Sequence, residues 1–171
     1  AANRIQRMYG IVNGTTNYIL TRMSEEGLRF SAALKAAQAA GFAEADPSFD
    51  IDGVDAAHKL AILASLATGG WVKVEDVHRE GLTNLDLWDI KFARRRLGLV
   101  AKSLALADFN GDEVYARVHT TLIPEYHPFA TVRNEYNAAV IHGSQPRNAP
   151  RSPSTLLSRT KLMPARTPPK P

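Results

Sequence analysis

The chain has 171 residues, 44% hydrophobic and 22% charged, with no cysteine. That balance suits a globular domain with a real core; it excludes a disulfide scaffold, a thiolate metal site and a thiol nucleophile, and no apolar run approaches the roughly 20 residues of a membrane span. The formal charge of +4 is unevenly placed: residues 144–171 hold six of the 21 Lys and Arg and no acid, leaving 15 bases against 17 acids, a net of −2, in residues 1–143.

In chain order, "RIQRMYGIV" (4–12) predicts a strand ending before Asn13-Gly14. "NGTTNYILTRMSEEG" predicts a helix capped by Thr15 or Thr16 and stopped by Gly27, and "SAALKAAQAAG" an alanine-rich helix between Ser31 and Gly41. An acidic loop with Pro47 follows. "DGVDAAHKLAILASLATGG" predicts a long helix capped by Asp52 and ended at Gly69-Gly70; "LAILASLA" within it is apolar on nearly every side, as a buried helix would be. "VKVEDVHREGL" reads as a short helix or turn running into a strand, and "DLWDIKFARRRLG" as a helix closed by Gly98. "LVAKSLALADF" and "EVYARVHTTLI" flank Asn110-Gly111-Asp112, a strong hairpin signal, and "ATVRNEYNAAVIHG" predicts a last strand. Helices precede a run of strands. The expected fold class is therefore α+β (mixed α/β), an open mixed β-sheet with helices mainly on one face.

Seven of the ten prolines lie in residues 144–171. Proline removes a backbone donor and restricts its neighbour, so two parts are expected: a folded domain over 1–143 and a Pro/Arg-rich disordered tail over 144–171, with an out-of-frame end as the alternative. The tail alone carries the basic pI. The acidic body argues against a nucleic-acid partner, and the three arginines of "KFARRRLG" read as a solvated face without interleaved aromatics.

Five acids, Glu44, Asp46, Asp50, Asp52 and Asp55, crowd the stretch before Lys59. Asp55 and Lys59 stand four residues apart and share a helix face; the plain reading is a surface ion pair worth a few tenths of a kcal/mol. The sharper reading is proton transfer, because a lysine on a buried helix needs a partner and is readily tuned. The loop acids read as a solvated run, a hard-cation site without EF-hand spacing, or a receptor for an ammonium group. "GIVNGTTNY" reads first as a capped helix start; it is neither G-x-G-x-x-G nor a P-loop. His58, His78, His119, His127 and His142 lack metal-ligand spacing, so no metal site is expected.

Taken together, "GIVNGTTNYILTRM", "AQAAGFAEADPSFDIDGVDAAHKLAILA", "EGL" and "LIPEYHPFATV" resemble the catalytic region of homoserine dehydrogenases, from about Arg4 to His142. The resemblance implies interconversion of L-aspartate 4-semialdehyde and L-homoserine with NADP or NAD, in threonine, methionine and isoleucine biosynthesis. It implies Lys59 as the proton-transferring catalytic residue, Glu44, Asp50 and Asp55 as substrate-binding carboxylates, and Gly41 as a backbone position near the cofactor. It further implies a cytoplasmic homodimer acting on a small molecule, with neither membrane nor nucleic acid as partner. The family's dinucleotide-binding domain, its further lysine and its monovalent cation site have no counterpart in these residues. By itself the chain is expected to lack dehydrogenase activity, and the alternative function is a fragment that folds, dimerises or binds substrate without turnover.

Overall fold

A computed structural model describes residues 4–144 and the backbone of 158–160. Strand β1 (Ile5–Ile11) runs into helix α1 (Gly14–Glu26) through Asn13. Asn13, with extended backbone, accepts the Thr16 N–H on its side chain at 2.8 Å; it is the cap, in place of the expected Thr15 or Thr16, which lie inside the first turn. Helix α2 (Phe30–Ala39) starts at Arg29 without a side-chain cap, so Ser31 is an interior residue. It ends in a Schellman arrangement: the Phe42 N–H reaches Ala37 O at 2.9 Å, the Gly41 N–H reaches Gln38 O at 3.0 Å, and Gly41 takes the left-handed φ of 76° that this turn requires.

The acidic segment is not all loop. Ser48–Ile51 forms the single-turn helix α3, and α4 (Val54–Thr68) follows after Asp52 and Gly53. Asp52 closes α3 with its N–H on Ser48 O, in a conformation (φ −86°, ψ 2°) far from the extended backbone of a helix N-cap. The expected Asp52 cap is thus replaced by Gly53, whose φ of 76° swings the chain directly into α4. One side of α4 buries Ala56, Ala57, Leu60, Ala61 and Ala64, while Ile62 and Leu66 stand 60% and 76% exposed. The helix is buried along a stripe of small side chains rather than all round.

A 3-10 turn (Val74–Asp76), strand β2 (His78–Arg79) and helix α5 (Leu87–Leu97, capped by Asp86 and closed by Gly98) lead to the hairpin of β3 (Leu99–Asn110) and β4 (Glu113–Pro124). Asn110 pairs with Glu113, so the two-residue loop is Gly111-Asp112, and Gly111 alone has positive φ (63°). That is the type II′ pattern with glycine first, rather than an Asn-Gly I′ turn. After a 3-10 turn (Pro128–Thr131), β5 (Asn137–Gly143) completes the predicted last strand. Within the proline-rich tail, Ser158–Thr160 form β6 against Asn137–Ala139; residues 145–157 and 161–171 lie outside the described residues.

The strands form one mixed sheet, β2-β4-β3-β1-β5-β6, antiparallel except for β2 beside β4. Strand alternation sorts the core. Ala101, Ala105 and Ala107 of β3 face the helices, the first with α1, α2 and α5, the others with α4, Met8 and Val118. Leu104 faces the other side with Ile11, Ile123, Val140, Phe129 and Val132. The five helices thus lie on one face, as expected from the element order, and the opposite face is covered in part by the 128–132 turn.

Lys102 shares the Leu104 face and is 2% exposed. Its Nζ donates to Asn17 Oδ1 at 3.0 Å and to Val132 O at 2.5 Å, and no ion pair among the described residues includes it. Burial pushes its pKa down to about 8, with Arg133 acting in the same direction and Glu25 against it. The unfolded chain keeps this proton up to the ordinary 10.5, so between pH 8 and 10.5 the unfolded state binds more protons and stability rises with pH. The rise attributable to Lys102 is at most about 3 kcal/mol. Urea denaturation at pH 7.5 and pH 10 should show a smaller pH dependence for Lys102→Met than for the parent; identical pH dependence would contradict this assignment.

Gly14 is a second tight point. A Cβ there would lie 2.7 Å from the backbone oxygen of Glu135, which cannot swing away as a side chain can. Gly14→Ala is expected to displace the 132–136 segment and cost about 1–3 kcal/mol by overpacking, measured by denaturant midpoint. An unchanged midpoint would show that the segment yields freely.

Candidate functional site

The end of β1, the start of α1, α3 and the first turn of α4 meet at one place. Asn13, 4% exposed, donates from Nδ2 to Asp50 Oδ1 at 2.7 Å and to Asp55 Oδ2 at 2.9 Å. Lys59 Nζ donates to the same Asp55 Oδ2 at 2.6 Å and to Val12 O at 3.2 Å. The Asp55 side chain is 20% exposed and that of Lys59 39%, so the pair is half-buried and reachable from solvent. Thr15 Oγ1 donates to Phe42 O at 2.7 Å and holds the acidic segment against α1.

The local sequence explains each placement. Four residues separate Asp55 from Lys59, so one helix face carries both. Asp55 lies in the first turn of α4, where the helix dipole favours a carboxylate. The one-turn helix α3 carries Asp50 toward the start of α1.

Of the residues expected at the site, the fold joins Asp50, Asp55 and Lys59. Glu44 is exposed, and no hydrogen bond or ion pair ties its carboxylate to the other three among the described residues; its backbone oxygen accepts from Gln38 at 3.0 Å. Gly41 is exposed with open space above it, and its glycine identity is accounted for by the end of α2. Asp46 accepts the Ser48 N–H at 3.1 Å, and the Ser48 hydroxyl, with that N–H second, holds its carboxyl below the usual range. The two described cavities lie elsewhere. One, of about 1170 Å³, lies between Gly27, Phe30, Trp88 and Phe92; the other, of about 260 Å³, lies beside Lys102, Arg94 and Arg133.

Sequence reading missed Asn13 as a partner of the acids. The available signal was its place at a strand-to-helix junction, where asparagine is among the best caps. It also missed Lys102, although a lysine inside "LVAKSLALA" breaks an apolar run.

Chemically, the cluster offers two carboxylates and one ammonium, one negative charge in excess. Asp50 Oδ2 and Asp55 Oδ1 make no hydrogen bond among the described residues and can accept from a ligand. Two of the three Lys59 donors are used, leaving one. No group of three or more metal-ligating side chains forms among the described residues.

A family model described as homoserine dehydrogenase matches residues 1–149. Homoserine dehydrogenase of a Synechocystis strain is 54% identical over 145 residues, 82% of this chain and 33% of that protein. The crystal structure of Staphylococcus aureus homoserine dehydrogenase at pH 7.5 superposes with a TM-score of 0.79 at 41% identity, covering 83% of this chain and 35% of that one. A hyperthermophilic archaeal homoserine dehydrogenase in complex with NADPH superposes with a TM-score of 0.66 at 30% identity, covering 83% of this chain and 39% of that one. The chain therefore spans about a third of the length of the curated relatives it matches. On this evidence from sequence and fold alike, the chain belongs to the homoserine dehydrogenase family.

Proposed function

We propose that the chain is the substrate-binding and proton-transferring part of an enzyme that interconverts L-aspartate 4-semialdehyde and L-homoserine with NADPH or NADH. The observation that carries this reading is Lys59 Nζ, aimed by Asp55 and Val12 O beside two carboxylates with free oxygens. Asp50 and Asp55 receive the substrate's α-ammonium in charge-assisted hydrogen bonds, and Glu44 adds a third carboxylate from the exposed rim. The remaining donor of Lys59 meets the oxygen at the far end of the substrate. In the reducing direction that oxygen gains negative charge, and Lys59 gives it a proton; in the reverse direction the amine takes the hydroxyl proton.

The described residues do not fit a dinucleotide's phosphates. The β1–α1 junction, which enters the site, commits the Asn13 side chain to its cap and to the acids, and Glu135 O covers Gly14. NAD or NADP is therefore held mainly by residues other than the described ones, with the open backbone at Gly41 as the contact point here. The hydride is the part of the reaction these residues do not supply. Among the described residues no helix is long and apolar enough to cross a membrane.

In the complete enzyme, Lys59→Ala should lower kcat by roughly 10²–10⁴-fold with little change in KM, as expected for a positioned general acid. The half-exposed pair it breaks is worth less than about 1 kcal/mol, so folding stability should be nearly unchanged. Asp55→Ala should harm kcat and KM together, because Asp55 both binds and orients. Steady-state NADPH oxidation with aspartate semialdehyde, beside denaturant unfolding, measures both; near-normal turnover by Lys59→Ala would remove the lysine from this role.

A further inference from the structure

We propose that Asn13 is a positioning residue that sets the separation and the facing of the Asp50 and Asp55 carboxylates, and thereby the enzyme's preference for a substrate carrying an ammonium group; this rests on the function proposed above. The Asn13 amide uses both of its hydrogens and its oxygen. Its Oδ1 accepts the Thr16 N–H at 2.8 Å, which fixes the orientation of the amide, since a backbone N–H must meet an oxygen. Both Nδ2 hydrogens are then directed at the acids, at 2.7 Å and 2.9 Å. One neutral group thus holds one oxygen of each carboxylate and leaves the second oxygen of each without a partner among the described residues. The two acids reach this arrangement from different elements, α3 and α4, and Asn13 is 37 residues from one and 42 from the other. Neither helix dictates their spacing.

The cap and the bridge can be separated. Serine and aspartate cap a helix about as well as asparagine. A serine hydroxyl has one hydrogen and cannot serve two acids, and an aspartate has none and sets a third negative charge against them. Asn13→Ser should therefore keep the cap and a thermal midpoint near the parent's while losing the bridge; Asn13→Asp also loses the bridge, with a lower midpoint because its charge is buried beside two carboxylates.

The experiment compares complete parent enzyme and both variants on aspartate semialdehyde and on 4-oxobutanoate, the same aldehyde acid without its ammonium group. Losing one charge-assisted hydrogen bond should raise KM for aspartate semialdehyde roughly tenfold, with kcat much less affected and 4-oxobutanoate kinetics unchanged. Equal losses on both substrates, or no loss on either, would overturn the positioning role. A parent enzyme that does not prefer the ammonium-bearing aldehyde would instead overturn the site reading on which the proposal rests.

Discussion

The Asn17 side chain carries the architecture around the site. Entirely buried on α1, it donates from one amide to three carbonyls of the 132–136 segment: Val132 at 3.2 Å, Asn134 at 2.9 Å and Tyr136 at 3.1 Å. Alternate carbonyls turn toward one donor because Asn134 takes a left-handed φ of 54°. Thr21 on the next turn of α1 accepts the Asn134 N–H at 3.1 Å, and Lys102 donates to Asn17 Oδ1. Buried backbone groups are costly to leave unpaired, so this segment has one low-energy seat against α1. That seat brings Glu135 O over Gly14 and so fixes where α1 begins.

Lys102 fits the same account. A buried lysine without a carboxylate destabilises the fold near neutral pH relative to its neutral form. Its two hydrogen bonds replace part of the water it lost, and they bind β3 to the 132–136 segment and to α1 at one point. The cluster at Asp50, Asp55 and Lys59 differs in kind. Its charges are half-buried and paired, and two carboxylate oxygens are left over, so its polar groups exceed what holding the fold together requires.

The small side chains of α4 connect the two regions. Ala56, Ala57 and Ala61 let the helix lie close on Ala105, Ala107 and Val118, and this close approach delivers its first turn, with Asp55 and Lys59, to the end of β1. Lys59 can then reach Val12 O, 47 residues away, while still bound to Asp55. The exposed Ile62, Leu66 and Trp71 face away from that contact.

Much of this was legible in the residues because it is local. Glycines at 27, 41, 69 and 98 stop helices by adopting left-handed backbone; the hairpin follows from two β-rich runs around a glycine; Asp55 and Lys59 share a face because four residues make about one turn. Even local reading erred where competing caps stood side by side: Asp52 was already committed to the end of α3, and Asn13 rather than a threonine had the extended backbone a cap needs. What tertiary structure decided is what depends on residues far apart in the chain. Glu44 and Asp50 look equivalent as acids in one segment, yet Asp50 alone is turned to Asn13 by α3. Lys102 looks like a strand surface residue until the 132–136 segment closes over it. Periodicity carries the face of an element, but hydrogen bonds across 37 to 119 residues depend on how elements pack, and only the folded chain brings their donors and acceptors within reach.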